Sequence, residues 1–281
     1  MSQTIRLASV NVNGIRAAYR KGMHEWLEGR GIDILAMQEV RANRKQVDDL
    51  INDGWHLELE EASSPGRAGV AIASRTPLGD VRRRVGPDEF DSAGRWLEVD
   101  FDVNGTPLTV VSCYVHSGEA DTPKQEEKWK FLDAMAERMA ELRAERELAV
   151  VVGDLNVGHD ERDIKNWKGN VKKAGFLPRE RGYFTRMFTP LGESAVPVDG
   201  SGGVGLGWVD VGRELSGDVP GPYTWWSYRG KAFDTDAGWR IDYQVATPEL
   251  AARASNYTVD RAAAYDQRWS DHSPVVVDYE I

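Results

Sequence analysis

Residues 148–156 read Leu-Ala-Val-Val-Val-Gly-Asp-Leu-Asn. A short apolar run closes on a glycine and delivers two polar side chains, Asp154 and Asn156, at its end. Its length and its flanks predict a β-strand. The same pattern recurs at Ile5–Val12, Ile32–Met37, Val70–Ala73, Leu97–Val103, Leu108–Tyr114, Ile241–Ala246 and Pro274–Tyr279, each bounded by Gly, Asp, Asn or Pro. Asn104-Gly105 between two of these runs predicts a hairpin, because both residues tolerate positive φ. Between other runs the period changes. Ile15, Tyr19, Met23 and Trp26 repeat at helical spacing before Gly29 and Gly31. Trp129, Leu132, Met135, Met139 and Leu142 form an apolar stripe over 122–145, with Thr122 as N-cap and Pro123 in the first turn. Hairpin-linked strands with interspersed helices predict an α/β protein, sheet packed on sheet with helices outside.

At 281 residues, 41% hydrophobic and 28% charged, the chain can bury a core without staples. One domain over 1–281 is expected. The Gly/Ser-rich stretch 192–207 reads as a mobile surface loop inside it, since motifs lie on both sides. The single cysteine, Cys113, sits in an apolar run and reads as packing. It leaves no disulfide framework and suits a reducing compartment. No basic leader with an apolar core opens the chain, and no run reaches membrane-span length, so a cytoplasmic protein with no membrane partner is expected. The net charge of -10 argues against a protein that coats nucleic acid, but not against a local, cation-loaded phosphate site.

The informative polar residues stand at run ends: Asn11 and Asn13, Glu39, Asp154 and Asn156, Asp242, and Asp271 with His272. Brought together, two carboxylates at about 4 Å repel by roughly 4 kcal/mol at an effective dielectric near 20. Such a cluster requires a shared proton, a basic partner or a bound cation. Oxygen ligands with amides beside them favour Mg²⁺ or Mn²⁺ over zinc, which implies phosphoester hydrolysis. Taken singly, each acid is more often a turn residue or a cap.

Together, LASVNVNGIRA, AMQEVR, Tyr114 ending its run, VVVGDLNVGHDERDIKNWKG, YTWWSYR, GWRIDY and SDHSPV resemble, in order, the motifs of the exonuclease III family of DNA-repair nucleases, the exonuclease III-type AP endonucleases. The resemblance spans about Leu7 to Val277. It implies a four-layer α/β sandwich of two packed mixed sheets flanked by helices, as in DNase I. It also implies one or two Mg²⁺ or Mn²⁺ ions and a monomer acting on double-stranded DNA with abasic sites or blocked 3′ ends. The implied activities are 3′→5′ exonuclease action, cleavage 5′ to abasic sites and 3′-end trimming. By resemblance, Glu39 is the principal metal carboxylate with Asn11 beside it, and Asp271 a further one. Asp154 orients or deprotonates the attacking water and Asn156 holds it, both close to the metal. Asp242 and His272 form a dyad at the scissile phosphate, and Tyr114 lies near it.

The resemblance also gives the substrate contacts. Trp225, Trp239 and Ile241 line the pocket for an extruded abasic sugar, while Trp226 reads as core. From the residues themselves, Lys165, Asn166, Trp167 and Lys168, directly after GDLNVGHDERD, are expected to clamp phosphates flanking the cleavage point, and Asn13, Arg16 and Arg229 to contact substrate. Further basic residues stand at Arg82–Arg84, Lys172, Lys173 and Lys231. Gly66-Arg67-Ala68-Gly69 lacks a P-loop lysine and reads as a turn before a strand. Three features depart from better-known members: VHSG after Tyr114, which puts His116 within possible reach of DNA; Asn13, where some relatives have Asp; and the 192–207 insertion. Two other readings compete. One is a phosphodiesterase of the same superfamily acting on a lipid or inositol phosphate. The other is a DNA-binding member without catalysis, which the presence of Glu39, Asp154, Asp242, Asp271 and His272 disfavours.

Overall fold

The computed structural model describes every residue except Met1, Asn52, Asp53, Pro65, Pro87, Asp91 and Ser92. Its strands are β1 (Thr4–Asn11), β2 (Ile34–Gln38), β3 (His56–Glu60), β4 (Val70–Ser74), β5 (Val81–Arg82), β6 (Trp96–Val103), β7 (Thr106–Tyr114), β8 (Ala149–Asp154), β9 (Val209–Asp210), β10 (Asp242–Ala246), β11 (Ala254–Val259) and β12 (Val275–Glu280). The helices are α1 (Ile15–Ala18), α2 (His24–Arg30), α3 (Arg44–Asp48), α4 (Pro123–Glu145), α5 (Pro178–Phe188), α6 (Val211–Ser216) and α7 (Pro248–Ala251). A π-helical segment, Tyr19–Met23, joins α1 to α2 and kinks at Gly22.

Two six-stranded sheets result, ordered β11-β12-β1-β2-β4-β3 and β5-β6-β7-β8-β10-β9. Each holds one parallel pair, β1 with β2 and β7 with β8, among antiparallel neighbours, so both are mixed. Strand β8 shows why its run is continuously apolar: Val150 and Val152 enter the core between the sheets, while Ala149 and Val151 face α4 and α5. A strand covered on both sides has no solvent face to make polar. The other sheet packs outward through Ala8, Val10, Leu35 and Met37 on α1 to α3. This is the four-layer sandwich that the resemblance implied.

All eight apolar runs became strands. Asn104 (φ 54°) and Gly105 (φ 85°) form the β6–β7 turn, and Gly31 (φ 64°) ends α2. Thr122 stands at the N-cap of α4, but its hydroxyl donates to the Glu119 carbonyl and caps nothing. Residues 192–207 fold back on themselves, with Ala195 N–H on the Gly203 carbonyl and Gly205 N–H on the Glu193 carbonyl. Cys113 is buried beside Met135, and burial pushes its thiol pKa up, as a packing residue requires.

Candidate active site

Strand register builds the first row of the site. Tyr114 lies opposite Asp154 in the parallel β7–β8 pair, and Asp154 lies opposite Asp242 in the antiparallel β8–β10 pair. Three of the expected site residues therefore stand abreast at one end of the sheet. Gly153 makes the approach possible: its φ is +144°, and a Cβ there would lie 1.9 Å from the Cys113 carbonyl oxygen. No other residue fits between those strands.

The second row comes from the facing sheet. Asn11 closes β1, Glu39 follows β2, and His272 precedes β12, which pairs with β1. The Asn11 amide joins the rows, donating 2.9 Å bonds to both Glu39 Oε1 and Asp154 Oδ2. Asp154 also accepts from the Asn156 backbone and side chain, each at 3.0 Å. His272 Nδ1–H donates to both Asp242 oxygens at 2.9–3.0 Å, which aims Nε2 at Asp154, 3.7 Å away. Thr224 Oγ1 donates to Asp242 at 2.6 Å and fixes the dyad from behind.

The electrostatics follow from this crowding. Burial pushes the Asp154 pKa up; His272 opposes the rise and Asp242 and Glu39 add to it, leaving it at about 8. Burial works against charge on His272, but Asp242 and Asp154 prevail and raise it to about 10. The Tyr114 hydroxyl is pushed up by burial and by Glu39 and Asp154, so it remains a hydrogen-bond donor. Several acids thus share a single imidazolium. Asp154, Asp242 and His272 have donor atoms within 4.8 Å of one another, the one such group among the described residues. Glu39 stands outside it, partly buried but lining an open groove of about 760 Å³ with Tyr114 and His116. Arg41 holds its second oxygen. Hard oxygen donors beside an uncompensated negative cluster fit a hard divalent cation, which at Glu39 would compete with Arg41.

The remaining expected residues divide. Asp271 accepts from Asn13 Nδ2 (2.8 Å) and Trp225 Nε1 (3.1 Å) and so ties the aromatic wall to the rim. Trp225 and Trp239 meet edge to face at 6.1 Å, with the His272 ring 6.5 Å from Trp225. Ile241 is buried beside them, and Trp226 is core, 1% exposed. Lys165, Asn166 and Lys168 are exposed, with Trp167 half-buried among them; Lys165 N–H reaches the Gly238 carbonyl, so this loop abuts Trp239. Arg16 and Arg229 are exposed. The Arg82–Arg84 run does not reach the site: Arg82 pairs with Glu98 and Asp100, and Arg83 with Glu58 and Glu60. His116 lines the groove, its Nε2–H donating to the Lys124 carbonyl.

Sequence reasoning passed over Arg41, Thr224, Arg95 and Lys128. Arg41, two residues after Glu39, and Thr224, inside YTWW, lay within recognised motifs. Arg95 stacks on the Tyr114 ring at 5.3 Å, and nothing in its neighbourhood in the chain announced it.

Such a rim, with a dyad, a buried acid, amide clamps and a carboxylate open to a cation, defines a phosphodiester hydrolase. The endonuclease/exonuclease/phosphatase family model matches residues 8–272. The chain is 32% identical to the exodeoxyribonuclease of Bacillus subtilis over 96% of its own length and 98% of that protein. It is 29% identical to the DNA repair nuclease APEX1 of Danio rerio over 97% and 81%. The 3′ phosphatase NExo from Neisseria, solved bound to a product DNA hairpin, superposes with a TM-score of 0.83 at 25% identity, covering 99% of this chain and all of that one. An AP endonuclease from Archaeoglobus fulgidus gives 0.79 at 27% identity, with the same coverage. The chain belongs to the endonuclease/exonuclease/phosphatase family, in its exonuclease III branch of metal-dependent phosphodiester hydrolases.

Proposed function

We propose that this chain is a DNA-repair nuclease that removes nucleotides from 3′ ends of duplex DNA, cuts on the 5′ side of abasic sites and trims blocked 3′ ends. The observation that carries the reading is the Asn11 amide bridging Glu39 and Asp154, with Tyr114, Asp242 and His272 alongside. Asp154, held by Asn11 and Asn156, orients the attacking water and takes its proton. His272, kept cationic by Asp242, and the Tyr114 hydroxyl donate to the non-bridging oxygens of the phosphate. Glu39, bonded to the Asn11 amide, would hold Mg²⁺ or Mn²⁺ with Asp271 as a further carboxylate, and the ion would supply charge stabilisation at phosphorus and at the leaving 3′ oxygen.

Charge distribution supports a nucleic-acid substrate despite the net -10. The groove beside Glu39 continues into a hollow of about 610 Å³, and Arg16, Arg20, Arg67 and Arg95 line the two. Among the described residues no carboxylate pairs with these four side chains. Unpaired guanidinium groups along a groove suit a phosphate backbone. The Trp225, Trp239 and Ile241 wall suits a flat sugar without its base. Among the described residues no helix is long and apolar enough to cross a membrane. The protein acts as a cytoplasmic monomer, in one domain, without a membrane partner.

The test uses purified protein with an abasic-site duplex and an intact duplex, each in Mg²⁺, Mn²⁺ and chelator. The reading expects metal-dependent cutting 5′ to the abasic site and slower release of 3′ nucleotides. Cleavage that persists in chelator, or no cleavage of either duplex, contradicts it.

A further inference from the structure

Lys128 lies on α4, with its ammonium group fully buried below the rim. Nζ donates to Glu180 Oε1 at 2.6 Å, to the Asn156 carbonyl at 2.9 Å and to the Ser117 carbonyl at 3.2 Å. Each of its three protons therefore has an acceptor. Glu180, near the start of α5, is filled as well: Oε1 also accepts from Gln125 Nε2 at 3.1 Å, and Oε2 accepts from Leu177 N–H at 2.9 Å.

The two carbonyls belong to the loops that carry the reacting side chains. Ser117 follows Tyr114 by three residues, and Asn156 follows Asp154 by two. The Asn156 side chain crosses between the same loops, donating to the Val115 carbonyl at 2.7 Å and to Asp154 at 3.0 Å. Asn156 takes a left-handed φ of 49°, a conformation that asparagine tolerates and that turns its carbonyl and its side chain to separate partners. A continuous chain of bonds thus runs from the Lys128 ammonium through the Asn156 backbone and side chain to the Asp154 carboxylate.

A buried ion pair is a poor device for stability, because apolar or neutral replacements of similar shape are often tolerated. Its value here lies in where its free protons go. We propose that Lys128 is a positioning residue of the hydrolysis, clamping the Ser117 and Asn156 carbonyls so that Tyr114 and Asp154 address the same phosphate. The proposal rests on the reading of the site as a DNA nuclease.

The test measures kcat and KM on an abasic-site duplex, with melting temperature recorded for every variant. Lys128→Met/Glu180→Gln removes the clamp without leaving a lone charge, and Gln can keep the bonds to Gln125 and Leu177. It is expected to stay folded, with kcat about 100-fold down and KM within about three-fold, the scale of a small misplacement relayed from outside the reacting groups. Glu180→Gln alone keeps Lys128 on both carbonyls and is expected to retain kcat within about three-fold, and Lys128→Arg to recover at least about ten-fold over the double variant. Wild-type kcat in the folded double variant, or equal losses in Glu180→Gln and the double variant, overturns the proposal. Should the double variant not fold, Glu180→Gln and Lys128→Arg decide: a kcat loss near 100-fold in the first, with none in the second, overturns it. Wild-type protein that cleaves no DNA sinks the parent reading instead and is scored first.

Discussion

Asp154 and Asp163 stand nine residues apart in one motif, and both are buried, yet their surroundings are opposite. Asp163 accepts from Arg240 Nε at 2.7 Å, Arg213 Nη2 at 2.6 Å and the backbone of His159 and Asp160. Burial pushes its pKa up, but Arg240 and these bonds outweigh burial and hold it down at about 2. Burial and the neighbouring Asp242 and Glu39 outweigh His272 at Asp154 and drive its pKa up to about 8. Equal burial with unequal compensation separates a structural carboxylate from the one proposed to react. The Asp163 network, which also joins Arg240 to Asp210, anchors the 159–168 loop to the strand that carries Asp242. The Asp154 cluster is less compensated, at the rim where the proposed substrate and cation would meet it.

Asp154→Asn gives the largest contrast. Cleavage of an abasic duplex is expected to fall by about 10²–10⁴, the range for a lost general base. Its melting temperature in chelator should hold or rise, because a carboxyl whose ionisation burial opposes is gone; an unfolded variant would erase the contrast. Asp163→Asn should do the reverse in stability. Breaking a buried pair costs about 3–5 kcal/mol, read as a fall in melting temperature of roughly 2–4 °C per kcal/mol at this chain length. The pH dependence carries the same sign. A folded pKa near 2, below the unfolded value of 3.8, contributes stability that is present above pH 3.8 and is lost as pH falls through 2. Acid titration of Asp163→Asn should lack that component.

Asp242→Asn tests the dyad. Burial opposes charge on His272, and Asp242 is the foremost group that overcomes it, so its removal lowers the imidazole pKa from about 10. The alkaline limb of the cleavage rate should move to lower pH, and imidazole resonances followed by NMR should titrate earlier. An unmoved limb would divorce His272 from the reaction. Arg82→Ala should show the smallest effect. Its partners Glu98 and Asp100 lie away from the rim, so cleavage should match wild type, while melting temperature falls because buried Glu98 keeps only Arg138 and Trp96 as partners.

The strands legible in the sequence were those at the centre of each sheet. The four without an apolar run, β3, β5, β9 and β11, are the four edge strands. His56–Glu60 alternates Glu with Leu, and Ala254–Val259 is only half-buried along its length. An edge strand needs one apolar face at most and uses charge to discourage further pairing. The rim itself was legible because a polar residue that ends a central strand has only one place to go. What escaped was long-range partnership: Lys128 meets Asn156 across 28 residues, and Arg240 meets Asp163 across 77. The Arg82–Arg84 run likewise did not show its partners, since a run of cations does not reveal which acids lie against it, here Glu98, Asp100, Glu58 and Glu60.

The most direct test of an uncompensated rim is a thermal-shift titration with Mg²⁺ and Mn²⁺, without DNA, in wild type, Glu39→Gln and Asp163→Asn. A ligand that binds only the folded state stabilises it by RT ln(1 + [L]/Kd), about 2.7 kcal/mol at a hundred times Kd. We expect metal-dependent stabilisation in wild type and in Asp163→Asn from its lower baseline, and a flat titration in Glu39→Gln. A flat titration in wild type, or full stabilisation in Glu39→Gln, would contradict a cation held at Glu39.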